Sequence, residues 1–205
     1  DPDIVARTGS LYWYENTDSG FSGSQRINTS CGGYSVAVAD LNLDGDPDII
    51  DVCDGNTIGW YENKISENNG FGARQTIVSD LSNVDDGTGV AAGDLDADGD
   101  PDIVYATGRS ADESKVAWLE NRVKQGTPDF VAQEKTIVSD AAYSVAVADL
   151  DLDGTPDVLS GSGSDDTIAW YRNQLSDGES DGDGFGPQKI ISTNSAYLVS
   201  VSAVD

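Results

Sequence analysis

The chain has no histidine and no methionine, two cysteines, and 11 lysines and arginines against 37 aspartates and glutamates in 205 residues. Without histidine there is no Ser-His-Asp or Cys-His nucleophile system, no histidine-held zinc and no imidazole base near neutral pH. Carboxylate pairs leave glycoside hydrolysis open, but that chemistry needs one acid raised in pKa by an apolar pocket. The aspartates here fall in repeated polar clusters, so the chain is read as a non-enzyme. Scarce positive charge excludes further partners, because a net charge of −26 and a pI near 4.1 repel phosphate backbones and anionic bilayers at long range. Neither nucleic acid nor membrane insertion is expected. No apolar run approaches the roughly 20 residues that span a bilayer, and the first residues lack a secretion signal. Either such a signal has been removed or the chain is an excised piece.

What is present is repetition. Asp40, Asp94, Asp149 and Asp205 occupy equivalent places, with spacings of 54, 55 and 56 residues. A period near 55 points to a propeller, solenoid or array. All four tryptophans form a second register, in LYWYEN (Trp13), IGWYEN (Trp60), VAWLEN (Trp118) and IAWYRN (Trp170). The phenylalanines form a third, at Phe21, Phe71, Phe130 and Phe185. Each unit reads as four short strands: around residue 150 these are YSVAVADL, PDVLSG, TIAWYRN and QKIIS, separated by Gly, Asp, Ser and Asn clusters. The small apolar VAVA run is expected to be buried on both faces, and the tryptophans to pack between sheets. The fold class predicted is all-β, a β-propeller-type array of about four four-stranded antiparallel blades. Its single repeat domain covers 1–205, with units near 1–45, 46–99, 100–154 and 155–205.

The acidic stretches DLNLDGDPDII (40–50), DLDADGDPDIV (94–104) and DLDLDGTPDVL (149–159) supply oxygens at alternate positions, as a hard cation such as calcium requires. Candidate ligands are Asp40, Asn42, Asp44, Asp46 and Asp48; Asp94, Asp96, Asp98, Asp100 and Asp102; and Asp149, Asp151, Asp153, Thr155 and Asp157. Within each set, the first, third and fifth positions project from one side of an extended strand end, a glycine bends the chain, and the ninth closes the cage. The seventh varies among Asp46, Asp100 and Thr155, so its carbonyl is the expected ligand. Asp1, Asp3 and Asp205 form partial motifs at the ends, a fourth site divided between the termini. Spacing excludes an EF-hand, whose twelfth position is a bidentate Glu; here it is Asp51, Tyr105 or Ser160.

Together these three registers resemble the FG-GAP or VCBS repeat family, whose members include the seven-bladed propeller of integrin alpha subunits. The resemblance runs through the acidic stretches, GFG at 70–72 and 184–186, and WYEN at 13–16 and 60–63. It implies calcium between the first two strands of a blade and a protein or glycan ligand on the opposite rim, around DGNT, GRSADES, GSGSDD and SNVDDG. Four units are fewer than the seven usual for closure, so the chain is expected to belong to a larger propeller or a filament-forming protein.

Weak calcium sites suit millimolar calcium, roughly the 10⁻⁴ to 10⁻³ M range of extracellular modules, which predicts an extracellular or cell-surface location. A Cys31–Cys53 disulfide is preferred over two buried thiols, with about 3 kcal/mol at stake. Asn28 of NTS is a glycosylation sequon in a predicted loop. Asn16, Asn63, Asn121 and Asn173 are read as strand-end turn formers. The leading expectation is a non-catalytic adhesion or assembly module, binding a protein or glycan or further copies of itself. A lectin-like glycan-binding module, or an accessory domain of a secreted polysaccharide-degrading enzyme, is the alternative.

Overall fold

A computed structural model describes residues 2–28, 32–53, 57–67, 70–79, 81, 89–108, 114–124, 126–130, 135–138, 142–163, 166–175, 184–194 and 200–203. Its main strands form successive antiparallel meanders. Sheet I holds β1 (Ile4–Thr8), β2 (Ser10–Tyr14) and β3 (Gln25–Asn28). Sheet II holds β4 (Gly33–Ala39), β5 (Asp48–Cys53), β6 (Thr57–Tyr61) and β7 (Gln75–Val78). Sheet III contains β8 (Val90–Gly93), β9 (Asp102–Ala106), β10 (Val116–Leu119) and β11 (Lys135–Val138), and sheet IV contains β12 (Ala142–Ala148), β13 (Asp157–Ser162), β14 (Ile168–Tyr171) and β15 (Lys189–Ser192).

The alternation of side chains along each strand stacks the sheets in chain order. In sheet II, Ile49 and Tyr61 pack toward sheet I, while Ile50, Val52, Ile58 and Trp60 join Ile103, Tyr105, Ala117 and Leu119 of sheet III. The other face of sheet III, with Val104, Val116 and Trp118, meets Val158, Ala169 and Tyr171 of sheet IV. Trp60 and Trp118 therefore pack onto the sheet that follows, and Trp13 meets Phe71, in the short hairpin between β6 and β7, edge-on at 5.9 Å. Trp170 has no following sheet among the described residues; it is half-buried, with Lys189 Nζ 4.1 Å from its ring centre.

The asparagine and phenylalanine registers meet. Asn16 pairs with Phe21, Asn63 with Phe71, Asn121 with Phe130 and Asn173 with Phe185, closing the hairpin between the last two strands of each unit at the same point.

In sheets II, III and IV the strand buried on both faces is the second, not the small apolar first as the composition predicts. Every residue of β5, β9 and β13 is buried, whereas Val38 of β4 is 51% exposed. The first strand is its sheet's edge, so small side chains there serve close approach. A Cβ at Gly93 would lie 2.7 Å from Val147 Cγ1, and one at Gly89 2.9 Å from the Ser144 backbone. Ser35 Oγ accepts from Val90 N (3.2 Å) and Ser144 Oγ from Val201 N (3.0 Å), the same link made from sheets II and IV, while the equivalent position in sheet III is Gly89.

Candidate metal centre

The three acidic loops share one hydrogen-bond frame. At the first position, both carboxylate oxygens accept backbone N–H groups of the fifth and sixth residues: Asp40 from Asp44 and Gly45, Asp94 from Asp98 and Gly99, Asp149 from Asp153 and Gly154, all between 2.9 and 3.1 Å. The fifth carboxylate accepts the N–H of the seventh, at 2.9 to 3.0 Å in each loop. The loop is not the extended strand end expected from alternate spacing. It is a compact coil with two left-handed residues, the glycine at φ 93–97° and, two places before it, Leu43, Ala97 and Leu152 at φ 58–60°. A left-handed conformation costs such residues roughly 1–2 kcal/mol, and the aspartate oxygens that gather the backbone N–H groups offset it.

The ninth residue is a buried clamp. Asp48 accepts from Leu41 N and Asn63 N, Asp102 from Leu95 N and Asn121 N, and Asp157 from Leu150 N and Asn173 N, one donor per oxygen. Burial pushes Asp48 and Asp102 up to about 7, the backbone donors opposing and nearby aspartates reinforcing it. Asp157 is raised for the same leading reason. Such a pKa would suit an acid catalyst, but these carboxylates are fully enclosed with both oxygens engaged, so no substrate reaches them. In the first two loops the seventh side chain turns outward, Asp46 accepting from Ser66 Oγ (2.5 Å) and Asp100 from Val123 N (2.6 Å), whereas Thr155 Oγ1 donates inward to Asp153 at 2.6 Å.

In the second loop, Asp94, Asp96 and Asp102 each offer an oxygen, all within 4.8 Å of one another. Asp96 Oδ1 is buried and has no hydrogen-bond partner among the described residues. Its carboxyl is raised by desolvation, then by the charges of Asp98 and Glu120. A buried carboxylate oxygen lacking a donor is costly, and a hard cation would satisfy it; these residues fit calcium. The first loop has the same frame, but its third residue, Asn42, is buried and ties its amide to Asp44 Oδ2 at 2.8 Å.

The third loop differs. Asp149, Asp151 and Asp153 also converge within 4.8 Å, yet Arg172 Nε donates to Asp151 Oδ2 (2.6 Å) and its Nη2 to Asp153 Oδ2 (2.8 Å). Asp153 is held down to about 2 by hydrogen bonds from Thr155 side chain and backbone and then from Arg172.

The regular asparagines do more than form turns. Asn63, Asn121 and Asn173 donate their amides to Pro47, Pro101 and Pro156 carbonyls within their own units. Asn121 also reaches Leu41 O (2.9 Å), and Asn173 reaches Leu95 O (2.7 Å), each in the acidic loop of the preceding sheet. Leu41 and Leu95 are buried in the joint, whereas Leu150 is 37% exposed. The turn role survives in part, since Asn63 and Asn173 accept from the N–H two residues on. Their invariance across all four units was the sequence signal for the larger role.

Sheets I and II are joined differently. Buried Asp51 accepts from Arg7 of β1, from Arg74 Nε (2.7 Å) and from Tyr61 Oη (3.1 Å). No repeat pattern marks this ion cluster, because its equivalents are Tyr105 and Ser160. Above it, a cleft of about 370 Å³ is lined by Asp3, Trp13, Ile49, Asn63, Ile65 and Phe71.

Asp3 is the ninth-position clamp of the first unit, accepting from Trp13 Nε1 (2.9 Å) and Asn16 N (2.8 Å). Asp1, Asp205 and Cys31 lie outside the described residues, as do most of the predicted ligand-rim loops. Cys53 ends β5, buried and opposite Gly33. Asn28 is not in a loop but ends β3, half-buried, its amide donating to Tyr61 Oη.

No curated protein matches the chain. Among solved structures, it resembles an Agrocybe aegerita lectin, described for specific recognition of non-reducing terminal N-acetylglucosamine, at TM-score 0.58 and 22% identity over 96% of this chain and 50% of that one. AofleA from Arthrobotrys oligospora is similar at TM-score 0.51 and 13% identity, over 95% and 54%. These likenesses describe the fold, and the chain spans about half the length of either structure. The FG-GAP-like repeat model matches residues 1–50 and 98–160, more than half the chain and two of its acidic loops. The chain belongs to the FG-GAP-like repeat family.

Proposed function

We propose that the chain is a non-catalytic, calcium-stabilised repeat module of β-propeller type, a single domain over 1–205 acting outside the cell as a binding surface. The observation that carries this reading is the recurring aspartate frame, with Asp96 presenting a buried oxygen that lacks a donor. Bound calcium would supply positive charge to carboxylates that otherwise repel one another. Asp94, Asp96 and Asp102 would hold it in the second loop and Asp40 and Asp44 in the first, the ninth aspartates also bracing the loops through their backbone donors. Because Asn121 and Asn173 grip those loops from the next sheet, ordering a loop also orders a joint between sheets.

Calcium at 100 times its dissociation constant adds about 2.7 kcal/mol per site. Chelator should therefore lower the melting temperature by several degrees and calcium restore it. An unchanged melting curve under both conditions would refute the reading. A Cys31–Cys53 bridge is part of the same reading, with Cys53 at the end of β5 opposite Gly33.

For the ligand, a glycan is favoured over a protein or further copies of the chain. The fold is shared with a glycan-recognising lectin, and the cleft between sheets I and II combines Trp13 and Phe71 with polar Asp3 and Asn63, the mixed lining typical of small-ligand sites. A glycan array read with and without calcium tests this; no binding in either state favours the protein-adhesion alternative.

A further inference from the structure

One position keeps its residue through three units and changes sign in the fourth, and its consequence rests on the calcium reading above. The residue two places after each tryptophan is Glu15, Glu62, Glu120 and then Arg172. In sheet III, Glu120 adds negative charge beside Asp96, and its own charge is partnered by Arg122 Nε at 2.6 Å. In sheet IV the sign is reversed. Arg172 donates to Asp151 and Asp153, two of the three carboxylates that converge there.

We infer that Arg172 is a built-in counter-ion for the 149–157 loop, which closes on the guanidinium and does not take the cation held by the 94–102 loop. Three facts support it. The two donated bonds, at 2.6 and 2.8 Å, are as short as charge-assisted bonds between a guanidinium and carboxylates require. A guanidinium keeps its charge at any physiological pH, so the loop is neutralised without dependence on calcium supply. The backbone frame of this loop nevertheless matches the other two bond for bond. What differs is the cation, not the loop. The array would then be calcium-dependent at the joints between sheets II, III and IV, and calcium-independent at the exposed tip of sheet IV.

Native mass spectrometry with calcium alone, on the whole chain, tests this by counting bound ions. Arg172→Glu restores the residue type of the other units and should bind one ion more than the wild type. Arg172→Gln, which removes charge without adding repulsion, serves if the first variant does not fold. Hydrogen exchange on the wild type needs no variant: chelator should speed exchange in 42–48 and 96–102 and leave 151–157 unchanged. An equal, non-zero ion count in wild type and variant overturns this inference alone. So does loss of one ion on Asp151→Asn in the wild type, or chelator-sensitive exchange in 151–157. Zero ions throughout overturns both this inference and the calcium reading.

Discussion

The loops at 94–102 and 149–157 have almost the same sequence and the same backbone, yet they sit in opposite physical situations. The first is roofed by sheet IV: Leu95 is buried, its carbonyl is gripped by Asn173, and Asp96 keeps a buried oxygen without a donor. The second has no sheet over it among the described residues: Leu150 is partly exposed and Leu152 is 85% exposed. The comparison teaches that a repeated motif codes for a shape, while its neighbours decide what the shape can do. Enclosure raises the cost of unpaired charge and so sharpens the demand for a cation. Openness and an arginine remove that demand.

The largest contrast should appear at the tryptophans. Trp118→Ala, emptying a fully buried site between sheets III and IV, should cost about 3–5 kcal/mol. Trp170→Ala, at the equivalent place on an uncovered face, should cost about 1 kcal/mol, since partial burial and its contact with Lys189 are all it loses. Urea denaturation measures both; equal losses would mean that the outer face of sheet IV is covered in solution.

The leucines repeat the test on the loops themselves. Leu95→Ala should cost roughly 2–5 kcal/mol and Leu150→Ala less than about 1 kcal/mol, because only the first opens a cavity. If Leu95→Ala also weakens calcium binding while Leu150→Ala does not, the coupling between joint and loop is established directly.

Acidity separates the two loops more gently. Asp102, raised to about 7 in the metal-free fold, favours folding when protonated; its contribution is full below the unfolded value near 4 and is lost as pH rises through 7. Asp153, lowered to about 2, contributes above the unfolded value and loses that as pH falls through 2. In chelator, stability should therefore rise as pH is lowered from 8 to 5. Below about 4 the loss of carboxylate contributions such as that of Asp153 should begin to dominate. With saturating calcium the rise between pH 8 and 5 should vanish or reverse, because protons then compete with the metal. Thermal melts across pH in both conditions check the sign.

Much of the architecture was legible in the chain. The aspartate, tryptophan and phenylalanine registers marked four units of nearby length, and the alternation in strands such as IAWY assigned faces that the packing bears out in Ala169 and Tyr171. Other features were not legible, for identifiable reasons. Leu43, Ala97 and Leu152 carry no sign of a left-handed backbone, since ordinary side chains rarely adopt it and only the surrounding aspartates hold it. The first strand looked like the centre of a sandwich because its residues are small and apolar; small residues serve close contact at an edge equally well. The Arg7–Asp51–Arg74 cluster occurs in one joint only, and a single event leaves no periodic trace.

What the sequence determined alone was the repeat, the strand pattern and the placement of aspartates at each hairpin tip, because these follow from local spacing and turn chemistry. Only the tertiary structure decided which loop is enclosed and which oxygen lacks a donor. It also decided that Arg172 and Asn173, neighbours in the chain, serve different loops: one closes its own, the other holds that of the preceding sheet. Burial and long-range contact are properties of the packed array, and a local pattern repeated identically cannot record which copy is enclosed among the described residues.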